Sequence, residues 1–192
     1  MRKQTDCTPI KRRAQSLSDV VDLYITNHRY KADREMDLFR IQRHLEDVIV
    51  KAGTARTAKN KCHDHQRRVG NIALNRFAKQ LLRFKNAIGT AKGFEELFAI
   101  IDKVGQKLPR IGELTIYDTA HRIGSYLELE PTKVYLHTGT REGARNLGTK
   151  ANRPYLEVSD LPKEFGRLKP SEIEDCLCIH KSKLRHSFSS SK

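Results

Sequence analysis

The segment KLPRIGELTIYDTAHRIG, residues 107–124, places a Pro and a Gly three residues apart between two stretches of helical periodicity. A tight turn of this form aims its backbone N–H groups and the start of the second helix in one direction, where they can hold a DNA phosphate. Gly112 tolerates backbone angles that a residue with a β-carbon resists. The sequence therefore predicts a phosphate-binding helix–hairpin–helix over about 94–127, with candidate contacts from Lys107, Leu108, Arg110 and Gly112. A plain αα-turn is the alternative.

A second candidate is the segment TARTAKNKCHDHQRRVG, residues 54–70, which has no apolar face and carries five Lys and Arg residues. A long basic loop between two helices is more often functional than idle. We expect Lys61, Arg67 and Arg68 to contact phosphates, and each such contact would make binding more sensitive to salt. A solvated run of charge is the alternative.

Polar side chains in the second half of the chain predict a pocket. Asp118 and Arg122 are four residues apart on one expected helix, as are Tyr117 and His121, and the loop VYLHTGTR follows. The candidate pocket residues are Tyr117, Asp118, His121, His137, Thr138 and Arg141. Such a pocket would belong to an enzyme of unknown reaction acting on a phosphorylated or nucleic-acid substrate, whereas ordinary surface ion pairs are the alternative.

Metal binding is the third chemistry considered. The run CHDH contains Cys62, His63 and His65, and CLCIH contains two further Cys residues and a His, all of them types that can bind zinc. No Cys-x-x-Cys pair exists, and two residues that are two apart on a helix do not point at one ion. The sequence therefore predicts no metal site and no cofactor, with Cys62, His63 and His65 as the weak candidates.

These residues need helices to position them, and apolar residues recur at helical spacing almost everywhere. We expect helices over 18–27, 33–52, 71–87, 94–104 and 113–127, with Ile41 on the buried face of the second. A turn of helix is expected at 134–137, a helix capped by Thr140 after it, and short helices near the end. The prediction is an all-α, single-domain protein of about eight helices with little or no strand. Residues 1–17 and 187–192 would be flexible tails on a domain spanning 18–186.

Charge gives the strongest overall signal. The net charge is +14, of which residues 1–92 carry +12 and residues 93–192 carry +2. A basic half suggests a polyanion partner, nucleic acid before membrane, although solubility alone would also explain it. With 38% hydrophobic and 31% charged residues the chain suits neither a disordered nor a membrane protein, and no apolar run approaches the ~20 residues that span a bilayer. Four cysteines without a paired framework and no signal peptide predict a cytoplasmic protein.

The turn Leu-Pro-Arg-Ile-Gly resembles the hairpin of the base-excision DNA glycosylases, which commonly reads Leu-Pro-Gly-Val-Gly and precedes a Thr-Ala pair. The resemblance implies phosphate binding by the hairpin backbone, with a monovalent cation held by the carbonyl oxygens of Leu108, Arg110 and Gly112. Leu114 stands where the bifunctional glycosylases have their nucleophilic Lys, and Tyr135 stands in place of the catalytic Asp. Neither residue can perform the chemistry of the residue it replaces, so glycosylase activity is disfavoured.

A broader stretch, roughly residues 60–182, is similar to a group of uncharacterised bacterial proteins in which HDHQRRV, IGELTIYDTAHRIGSYL, KVYLHTGTREGARNLG and EIEDCLCIHK follow one another. That resemblance implies a family and no particular reaction. The leading hypothesis is therefore a bacterial protein that binds nucleic acid, most directly duplex DNA, without glycosylase chemistry. The pocket enzyme and a structural or interaction protein remain the alternatives.

Overall fold

The structure is a computed structural model that describes residues 16–185. The first helical run extends from Leu17 to Arg40 as α1 (Leu17–Tyr24), a π-helical stretch (Ile25–Arg29) and α2 (Tyr30–Arg40). It is followed by α3 (Leu45–Gly53), α4 (Asn71–Leu82), α5 (Lys85–Gly89), α6 (Phe94–Gly105), α7 (Glu113–Leu127), α8 (Thr138–Asn146), α9 (Pro170–Ile179) and α10 (Lys181–Leu184). Within this part of the chain, eight helices have eight or more residues and two are shorter. The predicted all-α class is confirmed.

One small sheet interrupts the helices, at a place where the sequence predicted a helical turn. β1 (Val134–Tyr135) pairs antiparallel with β2 (Tyr155–Leu156), so that Val134 faces Leu156 and Tyr135 faces Tyr155. The prediction at 134–137 was wrong because the strand partner lies about 20 residues further on and leaves no local signal. β-branched and aromatic residues favour this pairing.

The single helix predicted over 33–52 is also wrong, because the chain breaks between α2 and α3. Ile41, expected on the buried face, is 73% exposed at the break. Phe39 and Met36 are buried instead, on the face of α2 that packs against α7. The helix predicted over 71–87 likewise divides into α4 and α5.

Two apolar clusters form the core. The first is built by α2 to α7 around large buried side chains that include Phe39, Phe77 and Phe94. The second joins α1, the small sheet and α8 to α10, and it includes Tyr24 and Phe165. Helix α7 packs against α2, α3 and α6, so its polar residues lie in the middle of the fold.

Most of the predicted tails lie outside the described residues. Of the predicted tail 1–17, only Ser16 and Leu17 are described: the Ser16 side chain caps α1 and Leu17 is buried. The predicted tail 187–192 lies wholly beyond the described range. Between residues 16 and 185 no helix combines the length and the apolar character needed to cross a membrane.

Candidate functional site

The turn between α6 and α7 has a defined geometry. The Ile111 N–H donates to the Leu108 carbonyl at 3.4 Å, with Pro109 and Arg110 at the centre of the turn. Arg110 has φ +71°, in the left-handed region. Pro followed by a residue with positive φ is the pattern of a type II turn, and that second position normally holds Gly. An L-residue there costs about 1–2 kcal/mol, so Arg110 occupies a position that its backbone does not favour.

The two helices flanking this turn approach closely. A β-carbon added to Gly105, the last residue of α6, would lie 2.6 Å from Cγ1 of Ile116 on α7 and 3.2 Å from Cγ2 of Ile111. Gly112 precedes α7, is exposed and has free space around it. The start of α7 is therefore open to solvent beside the turn.

Arg110 joins the turn to the basic segment 54–70. Its Nη2 donates a hydrogen bond to the carbonyl oxygen of Arg68. Its guanidinium also lies over Gly70, because a β-carbon at Gly70 would sit 3.7 Å from Arg110 Nη1. The two elements that the sequence singled out for phosphate contact are thus neighbours in the fold.

We call five exposed cations on these two elements the basic surface: Lys61, Arg67, Arg68, Lys107 and Arg110. Arg67 forms a pair with Asp64 at 2.9 Å, in which both side chains are mostly exposed. An exposed pair of this kind contributes little and can exchange for a phosphate. Leu108, the remaining side chain of the predicted contact set, is half-buried against the first apolar cluster.

The segment 54–70 is held in place rather than free. An isolated β-bridge pairs Arg56 with Cys62, and Asp64–Gln66 forms a turn of 3-10 helix. Gln66 is buried and its Nε2 donates to Oδ2 of Asp118 at 2.6 Å. His65 Nε2 approaches the same oxygen at 2.8 Å. Asp118 on α7 is therefore the anchor of this segment.

Asp118 belongs to a charged network that includes Arg122 and Glu35. Arg122 is 2% exposed, and its Nη2 lies 3.0 Å from Glu35 Oε1 and 3.6 Å from Asp118 Oδ2. Burial raises the pKa of Asp118, but Arg122 and His65 outweigh burial and leave that pKa below its usual value. The hydrogen bond to Asp118 raises the pKa of His65. Burial and the nearby Arg122 lower the pKa of His63.

A cavity of about 220 Å³ opens beside this network. It is lined by His28, Lys31, Ala32, Glu35, Met36, His65, Tyr117, Asp118, His121, Arg122, Glu174, Asp175 and Ile179. Two buried lining groups, the Tyr117 hydroxyl and Nη1 of Arg122, have no hydrogen-bond partner within residues 16–185. Buried polar groups are nearly always paired, so these two require an explanation.

Helix α9 closes the cavity with two adjacent carboxyl groups. Glu174 Oε1 accepts hydrogen bonds from His137 Nε2 and from the Thr140 hydroxyl, the latter at 3.0 Å. The Tyr24 hydroxyl donates to Oδ2 of Asp175 at 3.2 Å. Burial, together with the charge of Glu174, raises the pKa of Asp175 well above its usual value. The pKa values of Asp175 and Asp118 are therefore shifted in opposite directions by their surroundings.

The predicted pocket is only partly assembled. Tyr117, Asp118 and His121 line the cavity, and burial lowers the pKa of His121. His137 does not line it. Its Nε2 bonds to Glu174, and its Nδ1 caps α8 by accepting from the Gly139 N–H at 3.3 Å. α8 thus begins at Thr138, so the expected cap at Thr140 was wrong.

Thr138 and Arg141 have other positions. Thr138 is exposed, and neither residue lines the cavity. Arg141 donates to the carbonyl oxygens of Leu136, Ala151 and Arg153. It also pairs with Glu113 at 3.1 Å. Because its donors are used in tying the start of α8 to these neighbouring segments, Arg141 has a structural position and not the pocket position assigned to it from sequence.

Several lining residues were missed at the sequence level. Glu174 and Asp175 had a signal, since two adjacent acidic residues stand between Ile173 and the apolar run CLCI on one expected helix. Glu35 and His28 had none, because they come from a distant part of the chain and meet α7 only in the folded protein.

The predicted metal candidates do not form a ligand set. Among the described residues no group of three or more His, Cys, Asp and Glu side chains is arranged to hold a metal ion. Cys62 contacts the carbonyl oxygen of His63 through its thiol at 3.5 Å. Between Glu35 and Asp118 the guanidinium of Arg122 already supplies positive charge.

Two of the carbonyl oxygens that the resemblance implies for a monovalent cation already accept a backbone hydrogen bond. The Leu108 carbonyl accepts from Ile111 and the Gly112 carbonyl accepts from Ile116 at 3.1 Å. A carbonyl oxygen has two lone pairs, so each keeps one that a cation could use.

Comparisons with protein-family models, with curated proteins and with solved structures found no match to this chain.

Proposed function

We propose that this protein binds nucleic acid, and most directly duplex DNA, through contacts between the basic surface and backbone phosphates. The observation that carries the proposal is the hydrogen bond from Arg110 to the Arg68 carbonyl, which joins the α6–α7 turn to the basic segment. Backbone donors at the start of a helix and flexible cations together suit a phosphate.

The conformation of Arg110 adds support. Gly would relieve the left-handed backbone at this position, yet the residue is a long cation that reaches the neighbouring segment. Strain retained at one position is a reason to look for function there. By resemblance, a monovalent cation bound to the carbonyl oxygens of Leu108, Arg110 and Gly112 would add positive charge beside the phosphate.

Base excision is not part of the proposal. Leu114 offers no amine. Tyr135 is buried among aromatic rings, with its ring centroid 4.3 Å from that of Phe98 and 5.6 Å from that of Phe94. Neither residue can act as a nucleophile or as a carboxylate base.

We infer a bacterial and cytoplasmic setting for this activity. The resemblance to bacterial proteins supports the first, and the free thiols of Cys62, Cys176 and Cys178 suit a reducing compartment.

The test is fluorescence anisotropy with a labelled short duplex at low and moderate salt. Reversing the charge of Arg67 and Arg68 to Glu should weaken binding by at least about tenfold, equally for unrelated sequences, because phosphate contacts carry no sequence information. Lys163→Glu is the control and is compared with Arg67→Glu and Arg68→Glu made one at a time, because each of these variants changes the net charge by the same amount. Lys163 is exposed on a short helix that adjoins the second apolar cluster.

Two results would overturn the proposal. One is the absence of binding by the wild-type protein at low salt. The other is equal weakening by the control and by the Arg67 and Arg68 reversals, which would indicate only a response to net charge.

A further inference from the structure

The cavity beside α7 has features that phosphate binding at the basic surface does not use. The Tyr117 hydroxyl and Arg122 Nη1 are hydrogen-bond donors on residues that are each 2% exposed, and neither finds an acceptor in the described part of the chain. Burial and the charges of Glu174 and Asp175 raise the pKa of Tyr117 well above its usual value, so the hydroxyl keeps its proton at neutral pH. Tyr117 and Arg122 both line the cavity. These donors call for an acceptor atom from a ligand.

The carboxyl groups that line the cavity offer hydrogen-bond acceptors to a ligand. In each of them, all hydrogen bonds from described residues fall on one oxygen: Oε1 of Glu35 and Glu174, and Oδ2 of Asp118 and Asp175. The second oxygen of each is left to accept an N–H or O–H from another molecule.

The charge around the cavity selects against an anion. Arg122 already pairs with Glu35 and Asp118. The cavity lining has four carboxyl groups against two permanent cations: Glu35, Asp118, Glu174 and Asp175 against Arg122 and Lys31. An anionic ligand placed beside these carboxyl groups would be repelled, and this repulsion is strong where water is excluded. An uncharged acceptor, such as a carbonyl oxygen, avoids this penalty.

Size and shape set the remaining limits. A volume of about 220 Å³ is below the roughly 300–1,000 Å³ of pockets that take drug-sized ligands, so the occupant is small. The ring of Tyr117 stacks on that of His121, with centroids 5.8 Å apart and an interplanar angle of 25°. Both residues line the cavity and provide a flat wall for a planar group.

We propose that this cavity binds a small uncharged ligand that carries a carbonyl group next to an N–H or O–H group, a carboxamide being the simplest case. The carbonyl oxygen accepts from Tyr117 and Arg122, and the adjacent donor reaches the open carboxyl oxygens. The proposal does not depend on nucleic-acid binding, because no cation of the basic surface lines the cavity.

Acetamide and acetate provide the test, because they have nearly the same shape and differ in charge and in hydrogen-bond donors. Each is titrated into isotope-labelled protein at neutral pH, and the backbone amide resonances are followed by NMR. Acetamide should shift resonances of residues that line the cavity, whereas acetate and inorganic phosphate at equal concentration should leave them unchanged.

Two variants on the same helix sharpen the result. Tyr117→Phe removes one donor and should weaken acetamide binding by about fivefold, which corresponds to one neutral hydrogen bond. Tyr126→Phe is the control, because Tyr126 lies on α7 outside the cavity lining, and it should bind acetamide as the wild type does.

Three outcomes would overturn the proposal. Acetate or phosphate binding in the cavity as well as acetamide would show an anion site. Wild-type protein unaffected by acetamide at any concentration it tolerates would show no site for this class. Tyr117→Phe binding acetamide with unchanged affinity would show that the hydroxyl is not a ligand contact. The wild-type titrations decide the matter even if Tyr117→Phe does not fold.

Discussion

Replacing Asp118 by Asn removes the charge that holds the basic segment against α7. One carboxylate oxygen of Asp118 serves three groups: His65 at 2.8 Å, Gln66 at 2.6 Å and Arg122 at 3.6 Å. Asn keeps the size and one acceptor oxygen but loses the negative charge. Arg122, which is almost wholly buried, is then left with Glu35 as its remaining counter-ion.

The expected loss of stability in Asp118→Asn follows from how deeply these partners are buried. Removing one partner of a buried ion pair costs about 3–5 kcal/mol. His65 is about half exposed and Asn can still accept from Gln66, so we expect the low end, about 3 kcal/mol. For a protein of this size that corresponds to a decrease of about 6–12 °C in Tm.

Urea unfolding of wild type and Asp118→Asn as a function of pH is the assay. The pKa of Asp118 is lowered in the fold, so its contribution is present above the unfolded pKa of about 4 and is lost as pH falls through the folded pKa. The pKa of His65 is raised, so its contribution is present below about pH 6.5 and is lost as pH rises through the folded pKa. The stability gap should therefore be widest between about pH 4 and 6.5.

Asp37→Asn is the matched control, because Asp37 is 61% exposed and its ion pair within residues 16–185 is with Arg40, three residues away on α2. Its cost should stay within about 0.5 kcal/mol. A gap below about 1 kcal/mol for Asp118→Asn, or one that does not change with pH, would refute the assigned network.

Two further stability predictions follow from the packing around the cavity and the second apolar cluster. Tyr117→Phe should raise the free energy of unfolding by about 1 kcal/mol in the absence of ligand, because it removes a buried hydroxyl that has no partner among residues 16–185; a loss of stability in urea unfolding would contradict this. Gly143→Ala should cost about 2 kcal/mol or more, because its β-carbon would lie 2.2 Å from the Leu177 carbonyl oxygen where α8 meets α9. Gly166→Ala is the control, because its β-carbon would meet no atom of residues 16–185 within 4 Å, and equal Tm values for these two alanine variants would count against the packing.

The sequence predicted the parts of the fold that depend on local pattern. Helices α6 and α7 lie where their apolar stripes indicated, because a stripe at helical spacing is buried by whatever packs on it. The β1–β2 pair was missed because its two strands lie about 20 residues apart in the chain. The break at Ile41 was missed because the apolar spacing of Leu38, Ile41 and Leu45 continues across it. Asp118 was assigned to a pocket, but its hydrogen bonds with His65 and Gln66 could not be foreseen, because those residues lie far from it in the sequence.

The residues of the cavity likewise divide into those that local spacing predicted and those that only the tertiary packing brings together. Tyr117, Asp118 and His121 were found because all three lie on one helix at recognisable spacing. Glu35 joins them only through the packing of α2 against α7, which no pattern in the sequence reports. Arg141 was misassigned because a conspicuous Arg in a polar loop can as well bind backbone carbonyls, as it does here.

The most direct test of nucleic-acid binding at the basic surface is the salt dependence of duplex affinity, measured for wild type and for Arg67→Gln/Arg68→Gln. Each phosphate contact contributes about one unit to the slope of log Kd against log salt concentration. If both arginines contact phosphates, the wild-type protein binds with a steep slope and the double variant loses about two units of it. An unchanged slope in the double variant, or a wild-type affinity that does not respond to salt, would contradict phosphate contact at this surface.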